Sequence, residues 1–171
     1  LTDAPSLPNG IERVPLLHDW PGWWGKIELF RPDLFDGRPV LYMDIDTVVL
    51  RNLDGMMAAW MGRTGGKMTM LRDVYRRGAC GSGVMAFQDI NHGIYHRFRA
   101  NARKIMAEYR TTRKWGDQAY IQDALRNFPQ QFGDECVSYK AQVRPSGKIP
   151  ESASILYFHG RPRPWDVERF W

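Results

Sequence analysis

Apolar residues along this chain change period repeatedly, and those changes mark its elements. After an irregular start at Pro5, Pro8, Asn9 and Gly10, the segment Ile11 to Leu17 predicts a short strand. From Pro21 the spacing becomes helical, with Trp23, Ile27 and Phe30 on one side and Trp24 beside them, until Pro32 and Gly37 close the pattern. The run VLYMDIDTVVL, Val40 to Leu50, is apolar except at its two acids, and Val40, Leu41, Tyr42 and Met43 predict a buried strand of a parallel sheet. Asn52 and Asp54 offer a helix start ahead of Met56, Met57, Ala58, Ala59 and Trp60. Gly62, Gly65 and Gly66 then turn into a strand from Met68 to Leu71. Charge mixed with glycine predicts a loop from Arg72 to Gly83, followed by a short strand from Val84 to Phe87. Ile90, Ile94, Phe98, Ala102, Ile105 and Tyr109 recur every three or four residues, which predicts an amphipathic helix with a basic outer face. A second helix fits Asp117 to Leu125. Strands near Phe132 to Tyr139 and Ile155 to Phe158 complete the sheet, and Pro162, Pro164 and Trp165 give an extended tail. Strands alternating with helices predict an α/β fold with a mostly parallel sheet.

At 171 residues and 43% hydrophobic, the chain is long enough for one domain with a sizeable core. No run reaches the ~20 apolar residues that cross a bilayer as a helix, and no charged segment followed by an apolar one resembles a signal peptide. Cys80 and Cys136 are far apart in unlike surroundings, which fits reduced thiols in a cytoplasmic protein. The net charge of +5 favours anionic partners without naming one.

The sharpest chemical signal is the pair Asp44 and Asp46. Two carboxylates at a strand end each cost several kcal/mol to bury unless something compensates, and strand alternation points both to one side. Magnesium or manganese is the simplest compensator, since either takes one or two carboxylates and completes its shell with water and phosphates. An arginine partner or a helix cap would serve as well. Gly81-Ser82-Gly83-Val84-Met85 reads as a turn that brings backbone close to the strand ends. Asp117-Gln118 opens a helix, where capping alone would explain a carboxylate. Lys26 lies among tryptophans and reads otherwise as a solvated lysine. In His159-Gly160-Arg161-Pro162-Arg163-Pro164-Trp165, an imidazole and two guanidinium groups follow a strand, a combination suited to metal or diphosphate binding.

Taken in order, Trp24-Gly25-Lys26-Ile27-Glu28-Leu29-Phe30, Leu41 to Val49, Gly81 to Met85, Gly116-Asp117-Gln118 and His159 to Trp165 resemble the family 8 glycosyltransferases, the glycogenin-like and lipopolysaccharide galactosyltransferase-like group, and within it a bacterial subgroup of small members. The resemblance implies a GT-A fold, Rossmann-like, with helices flanking the sheet, and a single domain over residues 1–171. It also implies that a strand-helix-strand unit carrying the base-binding residues precedes the matched region, with only Leu1-Thr2-Asp3 as its tail here. The implied reaction is retaining transfer of a hexosyl group from a nucleotide sugar, usually a UDP-sugar, with manganese or magnesium on the diphosphate. Asp44, Asp46 and His159 would be the metal ligands. Lys26 and Arg163 would contact the donor, with Asp44, Ser82, Gly83 and Gly160 also on the donor side, and Asp117 with Gln118 would flank the reacting carbon. Gly81 stands where the family more often has asparagine, and the stretch from His159 to Arg163 is shorter than usual. The acceptor, whether a sugar, a lipid-linked sugar or a protein, is not specified, and peripheral contact with a membrane stays open.

Two other readings use the same residues. Asp44-Ile45-Asp46-Thr47-Val48 fits a haloacid-dehalogenase-like phosphatase, which would need Asp134-Glu135 as its later acidic pair. Arg97, Arg99, Arg103, Lys104, Arg110, Arg113 and Lys114 against Glu108 would suit a nucleic-acid or anion-binding module, but no nucleic-acid motif accompanies them. His92 and His96, one helical turn apart, lack a third ligand for zinc.

Overall fold

The computed structural model describes residues 8–88 and 92–168; Pro5, Ile90 and the segment Leu1-Thr2-Asp3 lie outside them. In chain order the elements are a 3-10 helix (Gly22–Phe30), β1 (Val40–Met43), β2 (Thr47–Val49), α1 (Asp54–Thr64), β3 (Thr69–Arg72), β4 (Cys80–Phe87), α2 (Gly93–Glu108), α3 (Gly116–Ala124), β5 (Gln130–Gln131), β6 (Cys136–Ser138) and β7 (Ile155–Tyr157). They group into two compact units, Leu1–Asp36 with Ile90–Asn127, and Gly37–Asp89 with Phe128–Trp171.

The first unit is helical. Its opening helix is 3-10 rather than α, so residues three apart eclipse. Trp24, Ile27 and Phe30 therefore make the buried face, while Trp23, expected among them, stands 48% exposed. The predicted strand over Ile11 to Leu17 is not formed. Instead the amides of Leu17 and His18 donate to the Glu28 carboxylate at 2.7 and 2.9 Å. Glu28 is fully buried and also accepts from Arg31 Nη1 at 2.8 Å, so a buried ion pair supplies what a strand partner would have supplied. The periodic helix forms as α2, burying Ile94, Phe98 and Ile105, with non-helical backbone at Asn101. His92 is bonded through Nδ1 to the Phe30 carbonyl at 3.2 Å, which accounts for it without zinc.

The second unit holds two mixed sheets, ordered β1-β4-β3-β5 and β2-β7-β6. The α/β class holds, but the expected mostly parallel arrangement does not. β1 and β3 both run antiparallel to β4, and β2 antiparallel to β7; among the described residues only β3 with β5 and β6 with β7 are parallel. The reason lies in the connections: β4 follows β3 through the short turn at 73–79 rather than through a helix, and such turns join antiparallel strands. β4 also begins earlier than predicted, so Gly81, Ser82 and Gly83 lie inside a strand whose register against β3 slips between Met70 and Leu71. Trp60 of α1 is fully buried in this unit, among Leu71, Val84, Ala86, Phe132 and Ile155, and its indole N–H donates to Thr69 Oγ1 at 2.9 Å. Cys80 and Cys136 are free and buried.

Candidate functional site

In the second unit the Asp-x-Asp does not continue a strand. β1 ends at Met43 and β2 begins at Thr47, so Asp44, Ile45 and Asp46 form the corner where the chain leaves one sheet for the other. Strand alternation therefore does not govern the two acids, and Ile45, inside the apolar run, is 93% exposed. Both sheets grip the corner: Asp44 N donates to the Gly83 carbonyl at 2.8 Å, and Phe158 N to the Asp46 carbonyl at 3.3 Å.

Each carboxylate is engaged. Asp44 Oδ1 accepts from the Tyr42 hydroxyl at 2.6 Å, and its other oxygen faces Gly83, where a Cβ would come within 3.3 Å. That close approach is what the glycine-rich motif predicts, though it arises in a strand and not in a turn. Asp46, buried, is ion-paired with the Arg163 guanidinium, and the tail is folded into a short 3-10 turn, Pro164–Asp166, rather than extended. Gly160, at φ +70°, lets the chain turn from β7 into that tail.

His159 follows β7 but is turned to another partner. Its Nε2 lies 2.8 Å from Ser138 Oγ, and the ring meets Tyr75 edge-on with centroids 5.2 Å apart. Burial, with Lys140 nearby, holds the imidazole below its ordinary value and so favours the neutral ring. Among the described residues no three His, Cys, Asp or Glu side chains are grouped to hold a metal, so the expected cage of Asp44, Asp46 and His159 is not formed here. The smaller set still suits a hard cation, because magnesium and manganese accept one or two carboxylates with water and phosphate. Next to it, the buried Thr47 hydroxyl has no hydrogen-bond partner among the described residues, an orphan of the kind a ligand oxygen or water satisfies. Ser82 is buried in β4. Tyr42 and Ser138, which hold Asp44 and His159, were not singled out from sequence. Neither contact is legible locally: Asp44 lies past the end of β1, where alternation no longer sets its side, and Ser138 is 21 positions from His159.

In the first unit, Lys26 is not a solvated lysine. Its ammonium lies 3.4 Å from Asp117 Oδ2, and both side chains are only 9% exposed. Asp117 sits in the first turn of α3 and pairs with Lys26, while the helix has no side-chain cap at Trp115. Gln118 follows it, half-buried.

The rival sites are otherwise occupied. Glu135 of the acidic pair is bonded to Arg63 at 3.0 Å, and Lys114 of the basic run lies 3.1 Å from both Glu108 and Asp123. No helix among the described residues is long and apolar enough to cross a membrane.

Neither a family model nor a curated protein sequence matches this chain. Solved structures do. The glycosyltransferase GlyE of Streptococcus pneumoniae TIGR4 superposes with a TM-score of 0.59 at 15% identity, over 83% of this chain and 38% of that one. The galactosyltransferase LgtC, solved with donor and acceptor sugar analogues, superposes with a TM-score of 0.57 at 14% identity, over 83% of this chain and 59% of that one. The fold is thus shared with glycosyltransferases of the GT-A type, and this chain spans less than two thirds of the length of either neighbour.

Proposed function

We propose that this chain is a glycosyltransferase domain that transfers a hexosyl group from a nucleotide sugar, of the UDP-sugar type, to an acceptor hydroxyl with retention at the reacting carbon. The observation that carries the reading is the corner between the two sheets, where buried Asp46 meets Arg163 and Asp44 lies against Gly83, in a fold shared with sugar transferases. Breaking the bond between the sugar and its diphosphate leaves negative charge on the departing oxygens, and positive groups fixed where that charge develops lower the barrier.

Arg163 is the guanidinium for that task, able to bind a phosphate through two parallel hydrogen bonds. Manganese or magnesium held by Asp44 and Asp46 would supply the rest of the neutralisation as the diphosphate leaves. Tyr42 orients Asp44 from the strand side, and Gly83 leaves room for it. His159 is held by Ser138 in surroundings that favour its neutral ring. In the first unit, Lys26 and Asp117 hold each other, and with Gln118 they are the residues proposed to meet the sugar.

Calorimetric titration of UDP-glucose and UDP-galactose, with and without manganese, tests this. Asp46→Asn should weaken manganese-dependent binding at least about tenfold, a difference of about 1.4 kcal/mol, in a variant that melts lower because Arg163 loses its partner but is still folded at the titration temperature by circular dichroism. Equal affinity in the wild type and the variant would overturn the assignment.

A further inference from the structure

The ion pair between Asp46 and Arg163 joins two unequal partners. Asp46 is fixed: its side chain is only 7% exposed, and its carbonyl accepts from Phe158 N at 3.3 Å, which ties the corner to the end of β7. Arg163 is held less firmly. Its side chain is 38% exposed, and the turn it stands on closes without it, through the Arg163 amide donating to Asp166 Oδ2 at 3.0 Å and Arg161 Nη1 at 3.5 Å from the same oxygen. Pro162 and Pro164 stiffen the backbone on either side. The guanidinium can therefore leave Asp46 for water while the turn beneath it keeps its shape.

Asp46 cannot be left alone in exchange. A buried carboxylate stripped of its partner is strongly disfavoured, so whatever removes Arg163 must bring a positive charge of its own. A divalent cation does so, but not beside the guanidinium, because two cations sharing one carboxylate in a poorly screened corner repel each other. Asp46 thus takes either Arg163 or a metal. A diphosphate shifts that choice, since its oxygens offer the guanidinium the same charge-assisted, two-point hydrogen bonding that a carboxylate does. Metal and diphosphate then favour one another, and the coupling is reciprocal.

We infer that Arg163 is a tethered cation that blocks Asp46 against divalent metal, and that an arriving diphosphate releases the block by drawing the guanidinium away. Metal enters the corner with the donor rather than ahead of it. The identity of the anion rests on the transferase reading; the block itself does not.

Manganese titration of the full chain, followed by the paramagnetic resonance of the free ion, tests this without any turnover. In the absence of nucleotide, Arg163→Gln should bind manganese at least about tenfold more tightly than the wild type, and the metal should raise its melting temperature where the wild type gains little. A loosened fold could not produce that gain in affinity, and combining Arg163→Gln with Asp46→Asn should abolish it. Arg163→Lys, which keeps the charge, should fall back toward the wild type. UDP should tighten manganese at least about tenfold in the wild type and by a smaller factor in Arg163→Gln. Equal manganese affinity in the wild type and Arg163→Gln, or in Arg163→Lys and Arg163→Gln, would overturn the block. An equal effect of UDP on the wild type and Arg163→Gln would overturn its release by diphosphate. Tighter manganese binding by Arg163→Gln with no binding of UDP or UDP-sugars by the wild type would sink the transferase reading and leave the block standing. Manganese-dependent binding of UDP-sugars with equal manganese affinity in both proteins would do the reverse.

Discussion

Replacing Glu28 with glutamine removes one charge from the centre of the first unit and changes almost nothing in shape. Glu28 is fully buried, and its Oε2 accepts from both Leu17 N and Arg31 Nη1 while Oε1 accepts from His18 N. An amide cannot satisfy three donors with one oxygen. Whichever way the glutamine is turned, its NH2 group faces at least one buried donor. Removing one partner of a buried pair costs about 3–5 kcal/mol, and an orphaned buried amide adds about 1–3. Arg31 keeps the Pro15 carbonyl and two 3.1 Å contacts to Asp33, whose side chain is more than half exposed, so part of the pairing survives. The terms overlap, and about 3–4 kcal/mol is the expected loss, a large share of the roughly 5–15 kcal/mol that holds a domain together. Urea denaturation followed by circular dichroism should show the midpoint falling by about 1.5 M. Glu28→Gln with Arg31→Met should recover much of the loss, because removing both charges leaves neither stranded. A loss below about 1 kcal/mol for Glu28→Gln would refute the claim that this carboxylate replaces the missing strand partner.

Two further outcomes follow from burial. His159 titrates below its ordinary value when folded, so as pH falls from neutrality the unfolded chain takes up the proton first; stability should decline below about pH 6.5 and level off once the folded ring also protonates. His159→Gln should flatten that slope in unfolding curves recorded at several pH values, and an unchanged slope would show that another group is responsible. Burial raises both thiols, foremost by desolvation, so Cys80 and Cys136 should react with a disulfide reagent only on unfolding, and rapid labelling of the native chain would contradict their placement.

Local pattern carried much of this fold. The period of Ile94, Phe98 and Ile105 announces α2, because its buried face repeats along the sequence; the apolar run at Val40 announces β1, although that strand is half-buried at the edge of its sheet and not the buried strand expected. Strand direction was illegible for a different reason. Alternating helices and strands suggest parallel crossovers, but the turn at 73–79 reverses the chain without a helix, and only the pairing of Thr69 with Ala86 reveals it. The 3-10 helix shows the same limit on a smaller scale. Trp23, Ile27 and Phe30 satisfy an α-helical period, whereas the tighter winding selects Trp24 and turns Trp23 to solvent. At the candidate site, residue types were readable and contacts were not. Arg163 reaches Asp46 across 117 positions of sequence, and no local signal encodes that.

The Asp44–Asp46 corner has a mechanical meaning as well as a chemical one. It is stapled by a backbone amide to β4 on one side and to the end of β7 on the other, so the two acids are anchored to separate sheets a single residue apart. Any sliding of one sheet against the other must therefore be felt as a change in the spacing of the carboxylates. A ligand that sets that spacing would lock the sheets in register, making the corner both the anion-side tool and the gauge of the scaffold that holds it.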